Sequence, residues 1–144
     1  MMFDIPVHVI ELDPGSYHLY VTLHIGNQLF NFIIDTGASQ SVLDYRHKLL
    51  LKKDKEQRAL HTTESGFSIN SEIIEYGKGT IPKVYSEKNK IKNLKVTLID
   101  LNYINELYRK YTDVLIDGLL GCDFLLNYGA IIDINEKKIT LCNA

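Results

Sequence analysis

The residues best suited to chemistry are an acid, a hydroxyl and a glycine that follow a short apolar strand. The run Phe32-Ile33-Ile34 leads directly into Asp35-Thr36-Gly37. A strand that ends in a tight Thr-Gly turn holds a carboxylate at a fixed place, with backbone N–H groups and a hydroxyl close enough to orient it. The sequence therefore indicates that Asp35 is positioned for acid–base chemistry.

Acid–base chemistry by a carboxylate pair requires a second acid. Two carboxylates about 3 Å apart cannot both ionise comfortably, so a facing pair shares one proton. The 144 residues contain one Asp-Thr-Gly turn. We therefore expect the second carboxylate to be the Asp35 of another copy of the chain in a homodimer.

Other aspartates also follow pairs of apolar residues, at Asp100, Asp117 and Asp133. Aspartate often ends a strand because its short side chain bonds to the turn backbone, and this explanation suffices for Asp100 and Asp133. Asp117 precedes Gly118, so an internal pair of Asp35 and Asp117 is an alternative source of two acids. We expect instead that Asp117 belongs to a supporting strand.

A second motif, Asp117-Gly118-Leu119-Leu120-Gly121-Cys122-Asp123-Phe124-Leu125, follows the first at a distance of about 80 residues. Together the two motifs resemble those of the retropepsin-like, or retroviral-type, aspartic proteases, in a non-viral member. The order and spacing agree over roughly residues 16 to 142, which makes the match much more specific than an isolated Asp-Thr-Gly.

The resemblance implies an all-β fold with short helices, a retropepsin-like half-barrel that is active as a dimer. It implies an aspartic endopeptidase in which two Asp35 carboxylates hold one water and hydrolyse a peptide bond, with no metal and no cofactor. The expected partners are a second copy of the chain and a peptide or protein substrate. A catalytically silent peptide-binding module with the same fold is the alternative.

The resemblance also assigns roles to individual residues. Thr36 and Gly37 support the catalytic turn, and the Thr36 hydroxyl bonds across the dimer. Asp123 either joins a network with the loop after Asp35 or caps the following helix, and we favour capping. The residues expected to contact substrate are Gly37, Ala38, Ser39, Gly66 and Leu119, and those with structural roles are Leu120, Gly121 and Asp123.

Composition excludes several other classes of protein. A length of 144 residues predicts a single domain spanning residues 1–144, and a formal net charge of −2 leaves no basic field for nucleic acid. No segment approaches the roughly 18 apolar residues of a membrane span, and the N-terminus lacks a signal-peptide pattern. We expect a cytoplasmic protein.

The five histidines share no motif and are expected to face solvent. An ATP-binding sugar-kinase or chaperone relative would need two large domains.

Strand patterns outnumber helix patterns. Val7–Leu12, Tyr17–Ile25 and Gln28–Ile34 are predicted strands, with a turn at 13–15. Short helices are predicted at 102–110 and 122–127, a helix or irregular excursion at 44–55, and closing strands at 130–133 and 138–141. Segments 59–63 and 69–76 are predicted to pair, and the resemblance implies that this hairpin is the flap that covers substrate. Tyr76-Gly77-Lys78-Gly79 is predicted to form a second glycine turn.

Overall fold

A computed structural model describes residues 1–53, 63–64, 74–92 and 94–142. These residues form strands joined by two α-helices and one 3₁₀ helix, which confirms the predicted class of an all-β fold with short helices. The elements are β1 (Met2–Pro6), β2 (His8–Glu11), β3 (Tyr17–Ile25), β4 (Gln28–Ile34), β5 (Val42–Asp44), the 3₁₀ helix (Tyr45–Leu50), β6 (Lys52–Lys53), β7 (Thr63–Glu64), β8 (Ile74–Ile81), β9 (Val84–Ser86), β10 (Asn89–Ile91), β11 (Leu94–Ile99), α1 (Asn102–Arg109), β12 (Gly118–Leu120), α2 (Cys122–Asn127), β13 (Ile131–Asp133) and β14 (Lys138–Cys142).

The larger of two sheets in the described part of the chain curls into a half-barrel. Its strands run in the order β10-β9-β3-β4-β12-β5-β11-β8-β6, with β2 paired to β3 and β7 to β8. β4 lies near its centre, antiparallel to β3 and parallel to β12. The strand that leads to Asp35 is therefore held on both edges.

β4 is also covered on both faces. Phe32 and Ile34 pack into the larger hydrophobic core, whereas Ile33 points into a smaller one with Tyr108 and Ile116. A strand buried on both faces reads as a continuous apolar run, which explains Phe32-Ile33-Ile34. Burial also raises the pKa of Tyr108 to about 12. This double burial fixes the end of β4 and hence the residue that follows it.

The chain termini form a separate sheet of three strands in the order β1-β14-β13. Met2 pairs with Cys142 and Ile131 with Thr140. Hydrogen bonds from Thr140 and Lys138 hold the pKa of Asp4 below its usual range. The predicted closing strands are confirmed, and β2 confirms the strand predicted at 7–12, whereas β1, which precedes it, was not predicted.

The predicted glycine turn at 76–79 is wrong, because these residues lie inside β8. Gly77 has a φ of 133° where the register between β8 and β11 shifts, so it accommodates a bulge. Gly79 is needed for close packing, since a Cβ there would lie 3.0 Å from the carbonyl oxygen of Lys52. Glycine in a strand marks bulges and close approaches as well as turns.

The other predicted elements are mostly found. The hairpin of β3 and β4, both short helices and the turn at 13–15 are confirmed, and the segment after β5 is the 3₁₀ helix. Part of the predicted flap is described: Thr63 and Glu64 pair with Glu75 and Ile74. The rest of that hairpin, including Gly66, lies outside the described residues.

Candidate active site

Asp35 is the first residue after β4, and its backbone N–H donates to the carbonyl oxygen of Leu120 at 3.0 Å. The parallel pairing of Ile34 with Leu120 therefore continues into the turn. The Asp35 residue is half-buried. Its place is thus set by the backbone of two strands, and its side chain remains accessible.

The Thr-Gly turn orients the carboxylate. Asp35 Oδ1 accepts a hydrogen bond from the Gly37 N–H at 2.9 Å, and the Asp35 carbonyl accepts one from the Ala38 N–H at 3.1 Å. A Cβ on Gly37 would lie 3.2 Å from Asp35 Oδ1, a tighter contact than most side chains make. The exposed Thr36 contributes its carbonyl oxygen, 3.1 Å from Cys122 Sγ. The turn therefore matches the geometry expected from Asp-Thr-Gly.

The second motif supports this turn from behind. The Gly121 N–H donates to Ser41 Oγ at 2.9 Å, and the Cys122 N–H donates to the Ala38 carbonyl at 2.8 Å. A Cβ on Gly121 would lie 2.7 Å from the Gln40 carbonyl carbon and 2.8 Å from the Ala38 oxygen. Only glycine lets the two backbone segments pass this closely.

Asp123 belongs to the same support. Its Oδ1 accepts hydrogen bonds from Ser41 N–H at 2.9 Å, Ser41 Oγ at 2.7 Å and Phe124 N–H at 2.7 Å. The N-cap position of α2 is Gly121, without a side-chain cap. The prediction that Asp123 mainly caps the helix is therefore wrong, and the alternative network with the loop after Asp35 is what the structure has.

Asp117 lies in a different environment. It is 7% exposed, and its carboxylate accepts hydrogen bonds from Asn31 N–H, Arg46 Nη2 and His47 Nε2 at 2.5 to 2.8 Å. Arg46 also pairs with the buried Asp44, whose Oδ1 binds the Leu101 N–H. His47 is half-buried, and its ring lies beside the Asp117 carboxylate. The prediction that it faces solvent is therefore wrong.

The strand register separates Asp117 from Asp35. Asp117 precedes β12 and its N–H bonds to the carbonyl of Asn31, whereas Asp35 follows β4. Four residues of extended chain from Asn31 to Asp35 span about 13 Å. The internal Asp35/Asp117 pair is therefore ruled out within one copy of the chain.

A cleft of about 300 Å³ opens beside Asp35. Four of the residues predicted to form the site, besides Asp35, line it together: Gly37, Ala38, Ser39 and Leu119. Leu120 and Gly121 lie behind it, as described above. Five more of the described residues line the cleft: Gln40, Val42, Thr97, Ile99 and Tyr103. Gln40 and Val42 directly follow the Asp-Thr-Gly turn along the chain, whereas Thr97, Ile99 and Tyr103 come from β11 and α1, where no motif marks them.

Neither a metal cluster nor a membrane span is present among the described residues. That part of the chain holds no group of three or more His, Cys, Asp or Glu side chains that could bind a metal ion. It also holds no helix both long and apolar enough to cross a membrane.

A family model described as aspartyl protease matches residues 21–124, which include Asp35 and most of the second motif. The chain belongs to the aspartyl protease family. Its matched region contains the turn, the crossing segment and the cleft between them. No curated protein matches the sequence.

Solved structures share the fold of this chain. A crystal structure of a retropepsin-like aspartic protease from Rickettsia conorii is 21% identical, with a TM-score of 0.55, and the match covers 98% of this chain and 91% of that one. The retroviral protease-like domain of Ddi1 from Leishmania major is 20% identical, with a TM-score of 0.57, and coverage is 88% and 90%. The predicted non-viral, retropepsin-like fold of the aspartyl protease is confirmed.

Proposed function

We propose that this aspartyl protease is a homodimeric endopeptidase in which two Asp35 carboxylates, one from each copy, hold and activate one water. The proposal rests on the placement of Asp35. Its Oδ1 accepts a hydrogen bond from the Gly37 N–H at 2.9 Å, and the residue lines an open cleft. Membership of the family supports peptidase activity in general. Residues 1–144 would act as one domain.

The second carboxylate is most simply supplied by another copy. Asp35 is the only acid among the described residues that line the cleft. Asp117 lies about four residues of extended chain away and already binds Arg46 and His47. A proton-sharing pair therefore requires a symmetric dimer in which the two Asp35 turns face each other.

A suitable surface for that dimer continues from the turn. Cys122, the first residue of α2, contacts the Thr36 carbonyl oxygen through its Sγ. β13 follows α2 along the chain, and between them the Ala130 N–H donates to the Leu125 carbonyl oxygen. Along this path Leu126 is 81% exposed, and Ile131 and Ile134 are each 59% exposed. We call Leu126, Ile131 and Ile134 the α2–β13 face.

The position of β13 gives this face a second way to bind a copy of itself. β13 is an edge strand of the terminal sheet in the described part of the chain, so its outer N–H and C=O groups are available for pairing. Apolar side chains beside an open strand edge favour association. The α2–β13 face, together with Thr36, would form the dimer contact, and the Thr36 hydroxyls would clamp the two turns.

The reaction needs only the two acids and water. The ionised Asp35 removes a proton from the water as it attacks the peptide carbonyl, and the protonated Asp35 donates its proton to the carbonyl oxygen. Collapse of the tetrahedral diol then transfers a proton to the leaving amine. General acid–base assistance contributes roughly 10² to 10⁴-fold, and the rest must come from positioning in the cleft.

The cleft favours an extended peptide. Gly37 and Ser39 are exposed residues that line the cleft with Asp35, where they can bond to substrate backbone. Val42, Ile99 and Leu119 supply an apolar wall. A strand-like substrate places alternate side chains against such a wall, so unfolded or loop segments are the expected substrates.

Cleavage should depend on pH with a bell-shaped profile. The rate should be highest where the pair holds one proton, and should fall at lower pH, where both acids are protonated, and at higher pH, where both are ionised. Initial rates on a diverse peptide mixture, followed by mass spectrometry, would give the profile. A rate that rises steadily to alkaline pH, or one abolished by a chelator, would contradict an aspartic mechanism.

A charge on the α2–β13 face should separate the subunits. Ile131→Lys places an ammonium at the apolar contact, so the dimer dissociation constant should rise at least about tenfold and cleavage should fall with it at low protein concentration. Sedimentation velocity across a dilution series measures the first and peptide cleavage the second. Leu29→Lys is the matched control, because Leu29 is also exposed, at 62%, near the start of β4. If both variants had the same dimer dissociation constant, the α2–β13 face would be excluded as the dimer contact.

A further inference from the structure

The catalytic cleft does not end at Gln40. A second depression of about 170 Å³ shares Gln40 and Thr97 with the cleft beside Asp35, so the two are continuous. Thr97 Oγ1 donates to Gln40 Oε1 at 3.1 Å, which fixes the boundary between them. A peptide lying in the cleft would extend from the first space into the second.

The described residues that line the outer depression include two lysines on one face of the sheet. Lys78 pairs directly across from Thr97, and Lys95 lies two residues before Thr97 on β11. Directly paired residues, and residues two apart on a strand, point to the same face. Both lysines line the depression. A third lysine, Lys52, lies on the same face, because it and Lys95 both pair with Thr80.

The charges of these lysines are not neutralised by the neighbouring described residues. Neither Lys78 nor Lys95 forms an ion pair within the described part of the chain. Asp123 is the one acid among the described lining residues, and its Oδ1 already accepts three hydrogen bonds. The described lining residues therefore carry two lysine charges against one carboxylate, a positive excess on a chain whose formal net charge is −2.

We propose that Lys78 and Lys95 form an outer subsite that selects substrates with an acidic side chain several residues from the scissile bond. The proposal rests on the proposed peptidase function. Ile99, Thr97 and Lys95 alternate along β11, and the first two line the cleft beside Asp35. An extended substrate lying along β11 has the same spacing of about 6.6 Å between alternate side chains, so the contact with Lys95 falls about four residues beyond the contact with Ile99.

The dimer doubles this subsite. Two-fold symmetry places one pair of lysines at each end of the combined cleft. Acidic residues should therefore favour cleavage on either side of the scissile bond, at similar distances from it. Such long-range attraction also weakens with salt, because exposed charges are screened.

The test uses a cleaved peptide in which glutamine is replaced by glutamate at one outer position at a time. The parent enzyme should cleave the best glutamate peptide roughly twofold to fivefold faster, as kcat/KM at low salt, than its glutamine counterpart. Lys78→Gln/Lys95→Gln, or Lys95→Gln alone if the double variant is poorly folded, should reduce the ratio towards one. Lys78→Glu/Lys95→Glu should favour lysine in the same peptide position, which a merely structural role would not produce.

Lys88→Gln is the matched control, because Lys88 is exposed in the turn between β9 and β10 and should leave the ratio unchanged. Equal cleavage of glutamate and glutamine peptides by the parent, or an unchanged ratio in the lysine variants, would overturn the subsite while leaving the peptidase function intact. The same peptides, labelled, should bind Asp35→Asn with the same preference by fluorescence anisotropy. Preferential binding without any cleavage by the parent would retain the subsite and reject the peptidase function.

Discussion

Asp35→Asn should reduce peptide cleavage by at least about 10²-fold while the dimer remains at least as stable as the parent. Asparagine keeps the shape of aspartate. It also keeps an oxygen that can accept the hydrogen bond from the Gly37 N–H, which in the parent lies 2.9 Å from Asp35 Oδ1. It cannot accept a proton from water, and it removes the like-charge repulsion between two facing acids. Cleavage of a diverse peptide mixture, together with thermal unfolding and sedimentation of both proteins, measures the two effects.

The outcome separates the enzyme from its main alternative. Cleavage by Asp35→Asn at the rate of the parent would reject the aspartic mechanism. If neither protein cleaves any peptide, yet both bind extended peptides, a catalytically silent binding module with this fold becomes the better interpretation. Binding of a pepstatin-type inhibitor to the parent would favour an active pair.

Asp117→Asn should have the opposite profile, a large loss of stability with little loss of turnover per folded molecule. Asp117 is buried and binds Asn31, Arg46 and His47. Removing one charge from a buried pair costs about 3 to 5 kcal/mol, but Arg46 is 35% exposed and retains Asp44, so we expect about 2 to 3 kcal/mol. Chemical denaturation gives the free energy of unfolding, and active-site titration gives the folded fraction.

Asp113→Asn is the control for this change. Asp113 is exposed in the same segment before β12, so its replacement should change stability by less than about 0.5 kcal/mol. If Asp117→Asn were instead as stable as the parent and inactive, Asp117 would be a catalytic acid. The strand register argues against that result, because Asp117 lies beside Asn31 and not beside Asp35.

Local signals in the sequence predicted the geometry of the Asp-Thr-Gly turn well. Asp35, Thr36 and Gly37 form a turn whose hydrogen bonds join neighbouring residues, so their types and spacing are sufficient to indicate its geometry. The close crossing at Gly121 was also predictable, because the second motif specifies it. The alternation in β3 likewise indicated a half-buried strand, and Val21, Leu23 and Ile25 at its apolar positions are buried.

Features that join distant parts of the chain were not predictable from local patterns. The bond from Arg46 to Asp117 spans 71 residues, and neither residue carries a motif that names its partner. The same is true of Thr97 and Tyr103 in the cleft, which reach it through β11 and the start of α1. Gly77 and Gly79 show a different difficulty, since glycine in a strand bulge resembles glycine in a turn.

We propose that the active site needs one Asp35 from each of two copies, and a subunit-mixing experiment tests this claim. Parent and Asp35→Asn proteins are mixed in equal amounts at constant total concentration and allowed to exchange subunits. Random pairing leaves two acids in about one quarter of the dimers, so the mixture should retain about one quarter of the parent activity. Retention of about one half, as expected when each copy of the chain cleaves by itself, would contradict the claim.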